Sequence, residues 1–345
     1  MKKLYVLFAA VLIIAMFLPA CAPASPDCAS ENVFCVGLVT DTGKISDKSF
    51  NQSAWEAVQQ AQKELGALVQ YIETADAKDY AKNISTFADE KYDVVVTVGF
   101  NLREDTRTAA ELYPNVNFIG VDQDQFEGTI DNVAGLVFPE ENAGFLVGAL
   151  AAMMSKTHKI GAVCPSDQAP AFWRLGEGYK AGAGYADELN GTNTDVFVVY
   201  HSDVGFDKTF IDPEWGAATA NSMMNQGADT IFGCGAITGD GAIIAAAQAD
   251  AYVIGGDTDQ YFTLPEAAPH MLSSAMKLIT PGVFELIKLS KDSTFPSGNY
   301  LGHVTYAPYH DLEHEVPTEV KTAMEQISAG LLDDSIKTNV PQVKP

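Results

Sequence analysis

The feature that most constrains this chain is an alternation carried out twice. Short apolar runs rich in β-branched residues occupy residues 33–39, 68–72, 94–98, 118–121 and 133–138. A second series occupies 160–164, 196–200, 230–232 and 252–254. Stretches with helical periodicity lie between them, at 50–65, 77–90, 102–112, 142–155, 171–189, 214–226 and 241–250. The runs are apolar on both faces, as parallel strands covered by helices must be. Strand–helix repetition of this kind predicts a doubly wound α/β architecture. A break near Pro139 divides the repetition into two Rossmann-like lobes joined by a hinge. The pattern predicts a first lobe of residues 33–137 plus 258–290 and a second of 138–257 plus 291–345. In this reading 271–277 and 281–289 return to the first lobe, while 300–306 and 316–330 complete the second. The longest apolar run of the body, 143–154, is short and holds two glycines, so it predicts a buried helix rather than a membrane span.

Residues 1–21 read as a targeting segment. Lys2 and Lys3 precede an apolar stretch over 4–18, and Leu18-Pro19-Ala20-Cys21 is similar to a bacterial lipobox. Cleavage there leaves Cys21 at the N-terminus carrying lipid, which tethers the body to the cell membrane on its extracytoplasmic face. The blander alternative is an ordinary secretory signal. Residues 22–32, rich in Ala, Pro, Ser and acids, read as a tether. Outside the cytoplasm the other four cysteines are free to pair. Cys164 and Cys234 each fall near a strand end, and Cys28 and Cys35 span a short loop. Buried free thiols are the alternative for each pair.

Charge narrows the partners. The net charge is −24, and losing Lys2 and Lys3 with the signal takes it to −26. Such a surface repels phosphate backbones, so nucleic acid is excluded as a partner and a neutral or cationic solute is favoured.

In open parallel sheets ligands bind beyond the carboxyl ends of the strands. Those ends carry Asp41-Thr42-Gly43, Gly99-Phe100-Asn101, Asp122, Pro165-Ser166-Asp167, Gly233-Cys234-Gly235 and Gly256-Asp257. Asp41, Asp122 and Asp257 are expected to face one region. A carboxylate accepts hydrogen bonds and donates none, which suits hydroxyls or the N–H edge of a base. The competing role is capping of the next helix. Phe50 and Asn51 open the first helix, the ring for stacking and the amide to donate and accept at once.

Catalytic patterns are not found. There is no G-x-S-x-G elbow and no phosphate loop. His310 and His314 stand four apart without an H-E-x-x-H motif, flanked by Pro308 and Pro317, so a solvated loop is preferred to a metal site. Neither a cofactor nor a metal is expected, and the chain reads as a binding protein, not an enzyme.

One stretch is specific. Residues 36–56 (VGLVTDTGKISDKSFNQSAWE), supported by 141–148 (ENAGFLVG), 178–182 (GYKAG) and 256–261 (GDTDQY), resemble the basic membrane protein family of substrate-binding lipoproteins, of the purine nucleoside receptor A type. The resemblance runs through most of 33–290. It implies the type I periplasmic-binding-protein fold and delivery of a nucleoside to an ABC permease. By matching position it implies that Asp41, Phe50, Asn51, Asp122, Gly239, Asp257 and Lys277 form the ligand site, with Asp257 on the ribose hydroxyls and Lys277 reaching the ligand. Three departures stand out. Leu175 replaces an aromatic, leaving Phe172 or Trp173 to substitute. Ala236-Ile237 replaces a glycine pair, and Lys277-Leu278 a Lys-Arg pair. The main rival is a binding protein for a sugar or another small polar solute on the same fold. A secreted hydrolase and a surface adhesin or sensor are the others.

Overall fold

The computed structural model describes residues 28–30 and 32–345. The targeting segment, the lipidation candidate Cys21 and most of the tether lie outside the described residues.

Two six-stranded sheets form the frame, and the first arises in simple chain order. Strand β1 (Cys35–Thr40) leads to helix α1 (Phe50–Leu65), then β2 (Leu68–Ile72), α2 (Tyr80–Asp89), β3 (Val94–Val98), α3 (Arg103–Leu112), β4 (Asn117–Val121) and β5 (Val133–Val137). After α4 (Glu140–Met154) the second sheet repeats the plan. It runs through β6 (Lys159–Cys164), α5 (Pro170–Asn190), β7 (Asp195–Tyr200), α6 (Pro213–Asn225), β8 (Thr230–Gly233), α7 (Ala236–Gln248), β9 (Tyr252–Asp257), the short α8 (Gln260–Thr263) and β10 (Met271–Lys277). Then come α9 (Ile279–Lys291), β11 (Gly298–Leu301), β12 (Val304–Tyr306) and α10 (Thr318–Leu332). The sheet orders are β11-β5-β4-β3-β1-β2 and β12-β10-β9-β8-β6-β7. Pairing is parallel throughout except between β10 and β12. Strands β1 and β3 are buried along their whole length, whereas the edge strand β2 is partly exposed, as layering by helices dictates.

The late part of the chain departs from the expected division. Residues 271–277 were expected in the first lobe, but β10 pairs with β9 and β12 in the second sheet. Residues 298–301 were expected in the second lobe, but β11 pairs with β5 in the first. Helix α9 does return to the first lobe, burying Ile279, Val283, Leu286 and Ile287 against the strands and α1. The chain therefore crosses between lobes after β5, at Leu278, and between β11 and β12, and not at Asp257. The crossovers are joined side by side: Leu278 N–H donates to His303 O at 2.9 Å and Gly302 N–H to Val137 O at 2.8 Å.

Two of the family-like stretches turn out to be packing motifs. Helices α4 and α5 interlock through Gly148 and Gly182, where an added Cβ would lie 2.1 Å from Tyr179 O and 2.0 Å from Phe145 O. That close approach carries the N-terminal ends of both helices, with Glu140 and Arg174, to the space between the lobes. Both cysteine pairs are disulfides, Cys28–Cys35 and Cys164–Cys234. No helix among the described residues is long and apolar enough to cross a membrane.

Candidate functional site

The carboxyl ends of both sheets face a cavity of about 1170 Å³ between the lobes. Six of the seven residues singled out from sequence line it: Asp41, Phe50, Asn51, Asp122, Asp257 and Lys277. Gly239 does not. It sits inside α7, packed against Gly233 of β8, where the absence of a side chain permits helix–strand contact. The helix expected over 241–250 starts earlier, at Ala236.

Asp122 and Asp257 occupy corresponding places, since β4 and β9 hold the same rank in the two sheet orders. Each ends or follows its strand in the left-handed region, with φ of 59° and 63°. Asp tolerates that conformation better than most residues. The sharp turn aims both carboxylates into the cleft. Asp122 Oδ2 lies 2.5 Å from Lys277 Nζ. Asp257 Oδ2 accepts a hydrogen bond at 2.9 Å from Ser49 Oγ, which reaches over from the first lobe. Burial pushes the Asp257 carboxyl up to about 6, against the pull of Lys277 and Ser49.

Helix α1 is capped by Asp47 rather than by the residues read as ligand contacts. Asp47 accepts from the backbone N–H of Ser49, Asn51 and Gln52 at 2.9–3.1 Å. The Asn51 amide nitrogen donates both to Asp41 Oδ1 at 3.1 Å and to Asp47 Oδ2 at 3.0 Å. Its donors are thus committed, and what it offers the cleft is its Oδ1 acceptor, buried and without a partner. The expectation that Asn51 donates and accepts at once is corrected to acceptance alone.

Lys277, the last residue of β10, is the buried cation of the site. Its Nζ lies 5.0 Å from the Phe50 ring centroid, 5.2 Å from that of Phe138 and 3.7 Å from Glu140 Oε1. Burial works to discharge the ammonium, yet Asp122, Glu140 and Asp257 hold its pKa above the usual lysine value. Glu140 is also held by Arg174 through Nε at 2.9 Å and Nη2 at 2.5 Å.

Phe50 and Phe172 put aromatic surface on the cleft from the first and second lobes, and Phe206 and Phe210 extend the second wall. Leu175 is a core residue, and Trp173 is buried away from the cavity, so of the two candidates Phe172 takes the wall position. Glu140, Phe206 and Phe210 were not singled out from sequence. Glu140 carried a faint signal, a carboxylate placed just after Pro139 at the crossover. Phe206 opens a single 3-10 turn and Phe210 follows it, a segment too short for periodicity to register.

The wall has a definite polarity. Among the described residues, its buried polar atoms lacking a hydrogen-bond partner are Asn51 Oδ1, Asp122 Oδ1 and Glu141 Oε2, all acceptors. Eight carboxylates line the cavity against three lysine and arginine side chains, so an anion would meet net repulsion. No group of described residues could hold a metal ion. His310 instead places Nε2 2.8 Å from Asp259 Oδ2.

Two hinged α/β lobes with a polar and aromatic cleft at their strand ends define a solute-binding protein of the type I periplasmic fold. A solute-binding protein of an ABC transporter system from Aeropyrum pernix K1 superposes with a TM-score of 0.78 at 22% identity, over 88% of this chain and 92% of that one. The chain belongs to the Bmp family, the PnrA-like ABC transporter substrate-binding proteins, which matches residues 34–302. It is 29% identical to the ABC transporter nucleoside-binding protein BmpA of Lactococcus lactis, over 87% of each chain. It is 30% identical to basic membrane protein D of Borreliella burgdorferi, over 84% of this chain and 79% of that one. Membership implies a small-molecule ligand and a permease partner in the membrane.

Proposed function

We propose that the cleft binds a nucleoside, and that the protein delivers it to its permease from a lipid tether at Cys21 on the outer face of the cell membrane. The observation that carries the ligand class is the pair of buried acceptors without hydrogen-bond partners, Asn51 Oδ1 and Asp122 Oδ1, on an aromatic wall. Unmet buried acceptors are costly, at about 1–3 kcal/mol each, so the favoured guest brings N–H and O–H donors to them. Phe50 and Phe172 stack on the base, each ring contributing roughly 1–3 kcal/mol by analogy with base–aromatic stacking. Asp122 and Asn51 accept from the N–H edge of the base. Asp257 and Lys277 hold the ribose, the carboxylate taking hydroxyl protons and the ammonium donating to an oxygen. Asp41 keeps the Asn51 amide turned so that its oxygen faces the guest. Closure is a hinge motion about the three crossovers. The Lactococcus lactis relative, whose name states nucleoside binding, supports the same reading.

A thermal-shift panel of nucleosides, free bases and free sugars on the mature body tests it. Binding raises the melting temperature by mass action. A rise with inosine or guanosine and none with ribose is expected; a rise with ribose or another sugar alone would favour the sugar-binding alternative.

A further inference from the structure

Residues 333–345 leave α10 and fold back on it, Ile336 N–H donating to Gly330 O at 2.8 Å. The segment then runs along the cleft, and residues 336–340 and Gln342 form part of the cavity wall next to the crossover strands. Three polar contacts hold it there. Arg174 Nη1 donates to the Gln342 backbone oxygen at 3.2 Å. Gln342 Nε2 donates to Glu141 Oε1 at 2.9 Å. Lys344 Nζ lies 2.6 Å from Asp167 Oδ2.

These anchors are not neutral bystanders. Arg174 grips Glu140, Glu140 faces Lys277, and Lys277 pairs with Asp122. A continuous run of charge-assisted contacts therefore links Gln342 to the carboxylate at the end of β4, and such contacts are stronger and more directional than neutral ones. Residues 333–345 also lie beyond the stretch that matches the family, which ends at 302.

We propose that segment 333–345 is a specificity-determining wall of the solute site: it closes the crossover side of the cleft and, through Gln342, fixes the Glu140–Arg174–Glu141 group that orients Lys277 and Asp122. The inference rests on the reading of the cleft as the solute site. Gln342 is a positioning residue in this scheme, while Ile336 to Val340 bound the guest directly.

The test compares the full mature chain, a chain ending at Asp333, and Gln342→Ala, each titrated with inosine and with ribose by calorimetry. Inosine is expected to bind the chain ending at Asp333 more than about tenfold more weakly, and Gln342→Ala about threefold more weakly. Ligand-free melting temperatures report separately whether each variant folds. Amide exchange across 334–342 in the full chain is expected to slow when inosine is added, a response that a merely structural segment does not give. Equal inosine affinity in all three proteins, with exchange at 334–342 unaltered, overturns the wall while leaving the nucleoside reading intact. Should ribose bind the full chain and inosine not, the nucleoside reading falls and the wall is judged by the same comparison with ribose. Binding of neither by the full chain overturns both.

Discussion

Asp240→Asn should stabilise the ligand-free protein, and by an amount that depends on pH. Asp240 lies in α7, buried, with its Oδ1 accepting from Gln260 Nε2 at 2.8 Å. Burial pushes its carboxyl from the ordinary 3.8 up to about 7, and the nearby Asp47 and Asp257 push the same way. The folded protein thus holds this proton more tightly than the unfolded chain does. Stability attributable to Asp240 is retained below about pH 4, falls as pH rises towards 7, and stays low above it. Each tenfold in proton affinity is worth about 1.4 kcal/mol, so the ionised group costs about 4 kcal/mol at pH 8 and under half of that at pH 5. Asparagine keeps the acceptor for Gln260 and carries no charge. At about 2 cal/mol/K per residue of unfolding entropy, the ceiling on the gain is roughly 6 °C at pH 8 and roughly 2 °C at pH 5. Thermal melts of the two proteins at both pH values decide it. A variant that melts lower at pH 8, or gains equally at both pH values, refutes the reasoning.

Other perturbations report on separate parts of the structure. Asp257→Ala should weaken inosine binding by more than about tenfold, since a hydrogen bond to a charged group is worth about 1.5–3 kcal/mol, and calorimetry reads this directly. Because the Asp257 carboxyl is pushed up to about 6, inosine affinity in the wild type should fall as pH drops below 6, in a titration series from pH 8 to 5. Lys277→Met leaves Asp122, Glu140 and Asp257 without their shared cation and should cost about 3–5 kcal/mol in urea melts at pH 7.5. Removing the Cys164–Cys234 bridge by a double serine substitution should lower stability by about 2–4 kcal/mol, measured under non-reducing conditions against the parent.

Much of the frame was readable from the chain because the physics there is local. Residues 94–98 show the both-sides-apolar pattern of a central parallel strand, and β3 fills that range fully buried, while β2 fills 68–72 as a partly exposed edge. Helix α1 spans 50–65 as its periodicity demands. What local pattern does not encode is which sheet a late strand joins. Residues 271–277 form a largely buried strand whose mixed sequence, MLSSAMK, does not say which sheet it joins, and the pairing of β10 with β9 places it in the second. The site was legible to the extent that it follows from strand ends, which is why Asp122 and Asp257 meet in one cavity. The state of Asn51 was not, because its amide is claimed by Asp47, a neighbour four residues back whose own role is to cap the helix. Gly239 stands off the cavity lining for a related reason: a glycine beside a strand end serves close packing as readily as ligand approach.

Paired calorimetric titrations of the mature body with inosine and inosine 5′-monophosphate test the account most directly. Eight carboxylates against three lysine and arginine side chains on the wall, with only acceptors lacking hydrogen-bond partners, predict saturable inosine binding and a monophosphate weaker by more than about tenfold. Equal or tighter binding of the monophosphate would contradict an acceptor-lined cleft built for an uncharged guest.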